Sequence, residues 1–297
     1  MRIAFGFLLL VVISPALVPF TDAQNSPSVD APRPIAARQS LWTEELTWME
    51  VRDAVQAGDN RILIGTGGIE HNGPYVVTGK HNYVLQTVLP YIAREIGHTL
   101  IAPIVKFVPE GEIDPKPTDH MIYPGTISVE QTTFEALLTD ICRSYRAHGF
   151  RDIILIGDSG GNQKGMENVA RQLNAKWKGE GGRVHYLPEY YSQDPWSYQF
   201  LKKLGIVQID KTPPPGEAAD RPAHTRNGLH DDIYYEAQVA VQDPNLIRAE
   251  ERLKTKQFSL HGVELAPLSK TVELGRKLAE YRAQITAAAF ARSSAQH

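Results

Sequence analysis

The sequence predicts an α/β fold: a three-layer α/β/α sandwich around a mostly parallel central sheet. Three observations lead there. Short, continuous apolar runs end in glycines, as in "RILIGTGG" (61–68) and "RDIILIG" (151–157). Each is followed by a longer stretch with helical periodicity. None of the runs alternates polar and apolar residues, which is the pattern of strands covered on both faces.

Along the chain, "MRIAFGFLLLVVISPALVPFTDA" reads as a secretory signal peptide. It has a minimal basic start at Arg2, an apolar stretch broken by Pro15 and Pro19, and small residues for cleavage after Ala23. Residues 24–40 are rich in Pro, Ser and Ala without periodicity, which predicts a flexible tail. The remainder, 41–297, reads as a single domain. Leu46, Met49, Val51 and Val55 mark a first helix stopped by Gly58. A strand at 61–66 leads into a glycine loop, then a helix over 82–97 interrupted or kinked at Pro90. A strand over 99–108, a polar loop over 109–128 and a helix over 129–149 come next. Then come a strand at 151–157, a helix at 162–179 and a strand at 183–191. Residues 206–228 form a long irregular loop of the kind that is usually functional. Helical stretches near 230–242 and 269–291 close the chain.

Composition narrows the function classes. The net charge of −3 comes with no basic stripe, so nothing points to nucleic acid. Cys142 is the only cysteine, which excludes an internal disulfide and a cysteine-rich zinc site. It lies on the apolar face of a helical stretch and reads as core. An export signal without disulfides fits a periplasmic or secreted protein.

In an open α/β sheet, ligands bind at the carboxyl ends of the strands. The loop after the first strand carries Glu70, His71, Asn72 and His81, a donor set suited to a divalent ion. The loop after 151–157 is "GDSGGN". It offers Asp158 as a ligand and glycines that admit a substrate, with Asn162 as a helix cap. The same string fits a nucleophile elbow, so Ser159 is a candidate nucleophile, with Asp210, Asp220 and His230 or His261 as downstream partners. A third cluster, His230, Asp231, Asp232 and Glu236, opens a helix. Acids there suit the helix dipole, while His230 is placed for acid–base work.

Three blocks of the sequence resemble the creatininase (creatinine amidohydrolase) family. They are "GTGGIEHNGPYVVTGKH", "YPGTISVEQTTFEALLTDICRSYRAHGFRDIILIGDSGGN" and "GLHDDIYYEAQVAVQDPNLIR". The resemblance runs over roughly residues 41–285. It implies an α/β/α sandwich, often assembled as a homo-oligomer (commonly a hexamer). It also implies metal-dependent hydrolysis of a cyclic or small amide. The family's metal-binding Glu falls on Glu70, whereas a second His falls on Asn72 and the bridging Asp falls on His81. The glycine-loop His falls on Ser159, and the His of the third block on His230.

The resulting expectation is one ion held by Glu70, His81 and Asp158, zinc first and manganese or iron as alternatives, with a second ion not excluded. His230 and Glu236 are the expected catalytic pair. Asn72, Tyr75, His120, Ser159 and Asp232 are expected around a small-molecule substrate, with Tyr123 and Trp196 as further selectivity candidates. Two other readings stand beside it: a serine esterase using Ser159, and a non-catalytic binding protein on the same fold.

Overall fold

The computed structural model describes residues 27–192, 194–208 and 232–295. The signal-peptide segment, His230 and most of the 206–228 loop lie outside them. The chain divides into two units, Met1–Ala36 and Ala37–His297, and the sheet with its covering helices belongs to the second.

Four parallel strands form the sheet, in the order β2-β1-β3-β4. They are β1 (Arg61–Thr66), β2 (Thr99–Ile101), β3 (Asp152–Gly157) and β4 (Arg183–Tyr186). The register pairs Arg61 with Asp152 and runs without a slip to Thr66 opposite Gly157. Successive side chains point to opposite faces, and both faces are apolar. Leu63, Ile154 and Ile156 enter one core cluster. Ile62, Ile64, Ile153 and Leu155 enter the other. Each such side chain, fully buried, stabilises the fold by roughly 1.5–3 kcal/mol before the entropy of ordering it is subtracted.

Helices cover the two faces. The first cluster is closed by α2 (Lys80–Ile96), α6 (Ile233–Gln242) and α8 (Leu268–Ala295). The second is closed by α3 (Gln131–Ala147) and α4 (Asn162–Lys176), with Val51 and Val55 of α1 (Trp48–Gln56) packed against it. α1 starts at a full capping box between Thr47 and Glu50. The remaining elements are α5 (Asp194–Lys203), α7 (Ala249–Lys254) and a small antiparallel hairpin, β5 (Ser259–Leu260) with β6 (Val263–Glu264). The α/β layering read from the sequence is the observed one. No helix among the described residues is long and apolar enough to cross a membrane.

Three local expectations change. The strand over 99–108 is regular only to Ile101, because Pro103 offers no N–H; the chain resumes pairing where Val105 N–H donates to Gly65. Pro90 does not interrupt α2, since the carbonyl it leaves unbonded belongs to the exposed residue Gln86. Asn162 does not cap α4. It is the first helical residue, and its amide donates to the carbonyls of Thr66 and Gly67, tying the end of β1 to the start of α4.

Candidate active site

The carboxyl ends of β1 and β3 hold a cluster of buried charge. Glu70 lies four residues beyond β1. Its loop is fixed by Glu70 N–H donating to Thr78 O and by Asn72 Nδ2 donating to Glu70 O and Val77 O. Asn82 clamps the same loop by bonding both the N–H and the carbonyl of Gly68. Asp158 follows β3 directly, its N–H on Thr66 O.

α2 opens with Lys80 and His81, both buried. Lys80 Nζ reaches Glu70 Oε1 at 3.1 Å and lies over the Tyr235 ring at 4.4 Å. His81 stands between two carboxylates, with Nε2 2.8 Å from Glu70 Oε1 and Nδ1 2.7 Å from Asp158 Oδ2. Burial and the Lys80 ammonium push this imidazole down, but Glu70 and Asp158 outweigh them and lift it to about 9. Both ring nitrogens therefore carry protons. Asp158 Oδ1 accepts from Tyr190 Oη at 2.9 Å and pairs with Arg282 of α8 at 2.8 Å. Burial opposes ionisation of Asp158, yet Arg282, His81 and Tyr190 hold it below the ordinary carboxylate range.

The other side of Glu70 is built differently. The loop 109–128 brings Glu110 and His120 to it. Ser128 anchors Glu110, accepting its N–H and donating to Gly111 O. His120 sits in a short 3-10 turn, with Nε2 3.4 Å from Glu70 Oε2. Its Nδ1 is 3.1 Å from Nδ1 of His71, whose ring stacks on Tyr123 at 3.6 Å. Glu110 Oε2 accepts from Ser159 Oγ at 3.2 Å. Glu110 Oε1 is buried and receives no hydrogen bond. Burial first, and the charge of Glu70 next, raise the Glu110 carboxyl to about 8.

The donor set fits a cation. Ligand atoms of Glu70, Glu110 and His120 all lie within 4.8 Å of one another. The orphaned oxygen of Glu110 points at Gly68, where a Cβ would sit 2.0 Å from it. Two carboxylates and an imidazole are hard to borderline ligands of the kind zinc and manganese accept.

The sequence-expected site is thus partly assembled and partly corrected. Glu70, His81 and Asp158 do meet, but in series. Glu70 and Asp158 lie on opposite nitrogens of one imidazole, so no single ion touches all three. Glu236 does not join the cluster: it is fully buried and ion-paired with Arg252, which also packs on Tyr75 and Phe258. Tyr75 lies on that guanidinium and donates to Gln257, so it is tied to packing rather than to substrate. Asp232 caps α6 by accepting from Tyr234 N–H, and Asn72 closes its own loop. His120 and Ser159 are in the cluster. Ser159 is 4% exposed and donates to Glu110. Of its expected partners, Asp210, Asp220 and His230 fall outside the described residues, as does the side chain of Trp196.

Glu110, Lys80, Tyr190 and Arg282 escaped the sequence reading. Two of them left signals. Glu110 is the second residue past the apolar run 99–108, so the rule about strand ends applied to a third loop. Lys80 is a cation in the first turn of a helix, where the dipole disfavours it unless an anion is near. A cavity of about 1100 Å³ lined by Arg61, Asp152, Arg183 and Phe290 lies at the amino ends of the strands, away from this cluster.

Comparison with known proteins agrees with this fold. The model of the creatinine amidohydrolase (creatininase) family matches residues 44–289. Creatinine amidohydrolase of Pseudomonas putida is 26% identical over 139 residues, 46% of this chain and 52% of that protein. The 3-dehydro-scyllo-inosose hydrolase of Thermotoga maritima is 25% identical over 120 residues, 40% of this chain and 36% of that protein. The chain therefore spans about half or less of the length of these curated relatives. A crystal structure of creatinine amidohydrolase superposes with a TM-score of 0.54 at 18% identity, covering 87% of this chain and 98% of that one. A structure described as creatininase Mn gives 0.56 at 19% identity, with coverage of 86% and 97%. At these identities the structures establish the shared fold. With the family model spanning most of the chain, the protein belongs to the creatininase family.

Proposed function

We propose that this creatininase-family protein is an exported, metal-dependent amidohydrolase that opens a cyclic or small amide. The observation that carries the reading is the convergence of Glu70, Glu110 and His120, whose ligand atoms lie within 4.8 Å of one another, with the two carboxyls buried. A protein does not leave a carboxylate oxygen buried beside a second carboxylate without a proton or a cation to offset it. The name of the Pseudomonas putida relative supports the reaction class, and the zinc and manganese forms among the related structures support the kind of ion.

In this reading Glu70, Glu110 and His120 hold one divalent ion. When bound, it would supply Lewis acidity and acidify a water at neutral pH. The rest is the work of this chain. Nδ1 of His120 and Nδ1 of His71 share a hydrogen bond, and the tautomer with its proton on His120 is the one that would present Nε2 to an ion as a lone pair. Ser159 donates to Glu110 and sets the angle of that carboxylate. Lys80 and His81 pull on the opposite oxygen of Glu70, so its charge stays oriented. The stacked rings of His71 and Tyr123 form a flat wall beside the cluster, suited to a small planar amide. His71, partly exposed, is the group placed to pass protons between the pocket and solvent.

The test is hydrolysis of creatinine and a panel of small cyclic amides by the mature protein. Chelator-stripped protein should be inactive, and added Zn²⁺ or Mn²⁺ should restore turnover; Glu110→Gln should not be restored. Activity indifferent to chelation would overturn the proposal.

A further inference from the structure

The two oxygens of Glu70 face different worlds. Oε1 takes the Lys80 ammonium at 3.1 Å and His81 Nε2 at 2.8 Å. Oε2 faces His120 at 3.4 Å. A carboxylate shared between two ions needs both oxygens. Here one of them is already saturated by donors of this chain.

Lys80 cannot step aside. Its side chain is 0% exposed, and the Tyr235 ring lies against the ammonium at 4.4 Å. Its position at the first residue of α2 is held by Asn82, two residues further along the same turn, through its clamp on Gly68. The usual freedom of a lysine to swing its charge into water is absent. An ion approaching Oε1 would meet a fixed positive charge in a poorly screened interior, where repulsion is many times stronger than in water. Behind His81, the charge of Asp158 is already offset by Arg282 and Tyr190, which leaves it poorly placed to balance a second ion.

We infer that Lys80 is a built-in cation that occupies the Glu70 Oε1 position and limits this site to a single divalent ion. It would do so by taking the place of an ion, not by binding one. The inference rests on the metal-site reading above and adds a stoichiometry to it. It also gives Lys80 a positioning role: by holding Oε1, it keeps Glu70 turned with Oε2 toward His120.

The experiment is a Zn²⁺ titration of the chelator-stripped full-length mature protein, with ion content counted after equilibrium dialysis. The wild type, Lys80→Met and Lys80→Thr/His81→Asp are compared, with circular dichroism to confirm folding. The wild type should hold one ion. Lys80→Met should bind its first ion at least about tenfold tighter, because a repulsive charge is gone. The double variant, which places a carboxylate beside Glu70 and Asp158, should take up a second ion. If Lys80→Met does not fold, Lys80→Gln keeps a donor for Glu70 without the charge and answers the same question. Two ions on the wild type would overturn the inference and leave the hydrolase reading standing. Affinity and count unchanged in every variant would overturn it as well. No ion on folded wild type, with one ion appearing in Lys80→Met, would do the reverse: the cation role would hold and the metal-hydrolase reading would fall.

Discussion

Two buried glutamates mark two regions of this protein that look alike in composition and differ in purpose. Glu236, on α6, is fully buried and paired with Arg252. That guanidinium is itself finished, donating to Gln257 O and Ile247 O and packed between Tyr75 and Phe258. Glu110, at the end of a broken strand, is also buried, but the charge set against it is that of another carboxylate, Glu70. The first arrangement is closed: each charge has its opposite, and the result is packing. The second is open and becomes balanced only with a proton or an ion. Burial alone does not separate structural from functional acid groups; what separates them is whether the surrounding charges cancel.

The contrast can be broken at the closed end first. Arg252→Met strands Glu236 in an apolar setting and should cost about 3–5 kcal/mol of stability, read from urea melts. Adding Glu236→Gln should return part of that loss, since the uncompensated charge is gone. A single variant as stable as wild type would mean that the pair is not the closed unit described.

At the open end the sign reverses. Glu110→Gln should leave the melting temperature unchanged or slightly raised, because burial and Glu70 already disfavour the charged form of this carboxyl and the amide replaces a neutral group. Ion affinity should fall by about 100-fold or more. A drop in stability with ion binding intact would make Glu110 another packing residue. Ser159→Ala should be milder, about tenfold in turnover, because the hydroxyl only orients Glu110. Loss of all activity, or labelling of Ser159 by a serine-reactive probe, would restore the nucleophile reading.

The smallest effect belongs to a half-exposed acid that sharpens the scale. Asp152 accepts from His185 and pairs with Arg61, and these hold its carboxyl below the ordinary range. A lowered folded-state pKa contributes stability above the unfolded value and loses it as pH falls through the folded one. Asp152→Asn should therefore cost under about 1 kcal/mol at pH 7. The gap to wild type should close in melts taken in acid, below the ordinary carboxylate range.

How much of this was legible in the sequence depends on distance along the chain. The layered fold was readable because "RILIGT" and "DIILIG" are apolar on both faces, and nothing else explains such strands. Glu70, Asp158, Ser159 and His81 were readable because they stand at strand ends or beside the first loop. Their order in space was not, since that depends on which nitrogen of His81 meets which carboxylate. Arg282 and Tyr190 could not be found, because they reach Asp158 from elements 124 and 32 positions away in numbering. Glu236 misled for a related reason: its partner Arg252 lies on the next helix, and a lone acid at a helix start looks the same with or without one.

Everything proposed for the open end depends on an ion seated between Glu70, Glu110 and His120. The most direct test is an anomalous difference map at the zinc edge from crystals of the mature protein grown with Zn²⁺. One peak is expected, within bonding distance of Glu70 Oε2, Glu110 and His120 Nε2, with Lys80 still on Glu70 Oε1. A peak coordinated by His81 or Asp158, or a map with no peak in zinc-saturated crystals, would contradict that placement.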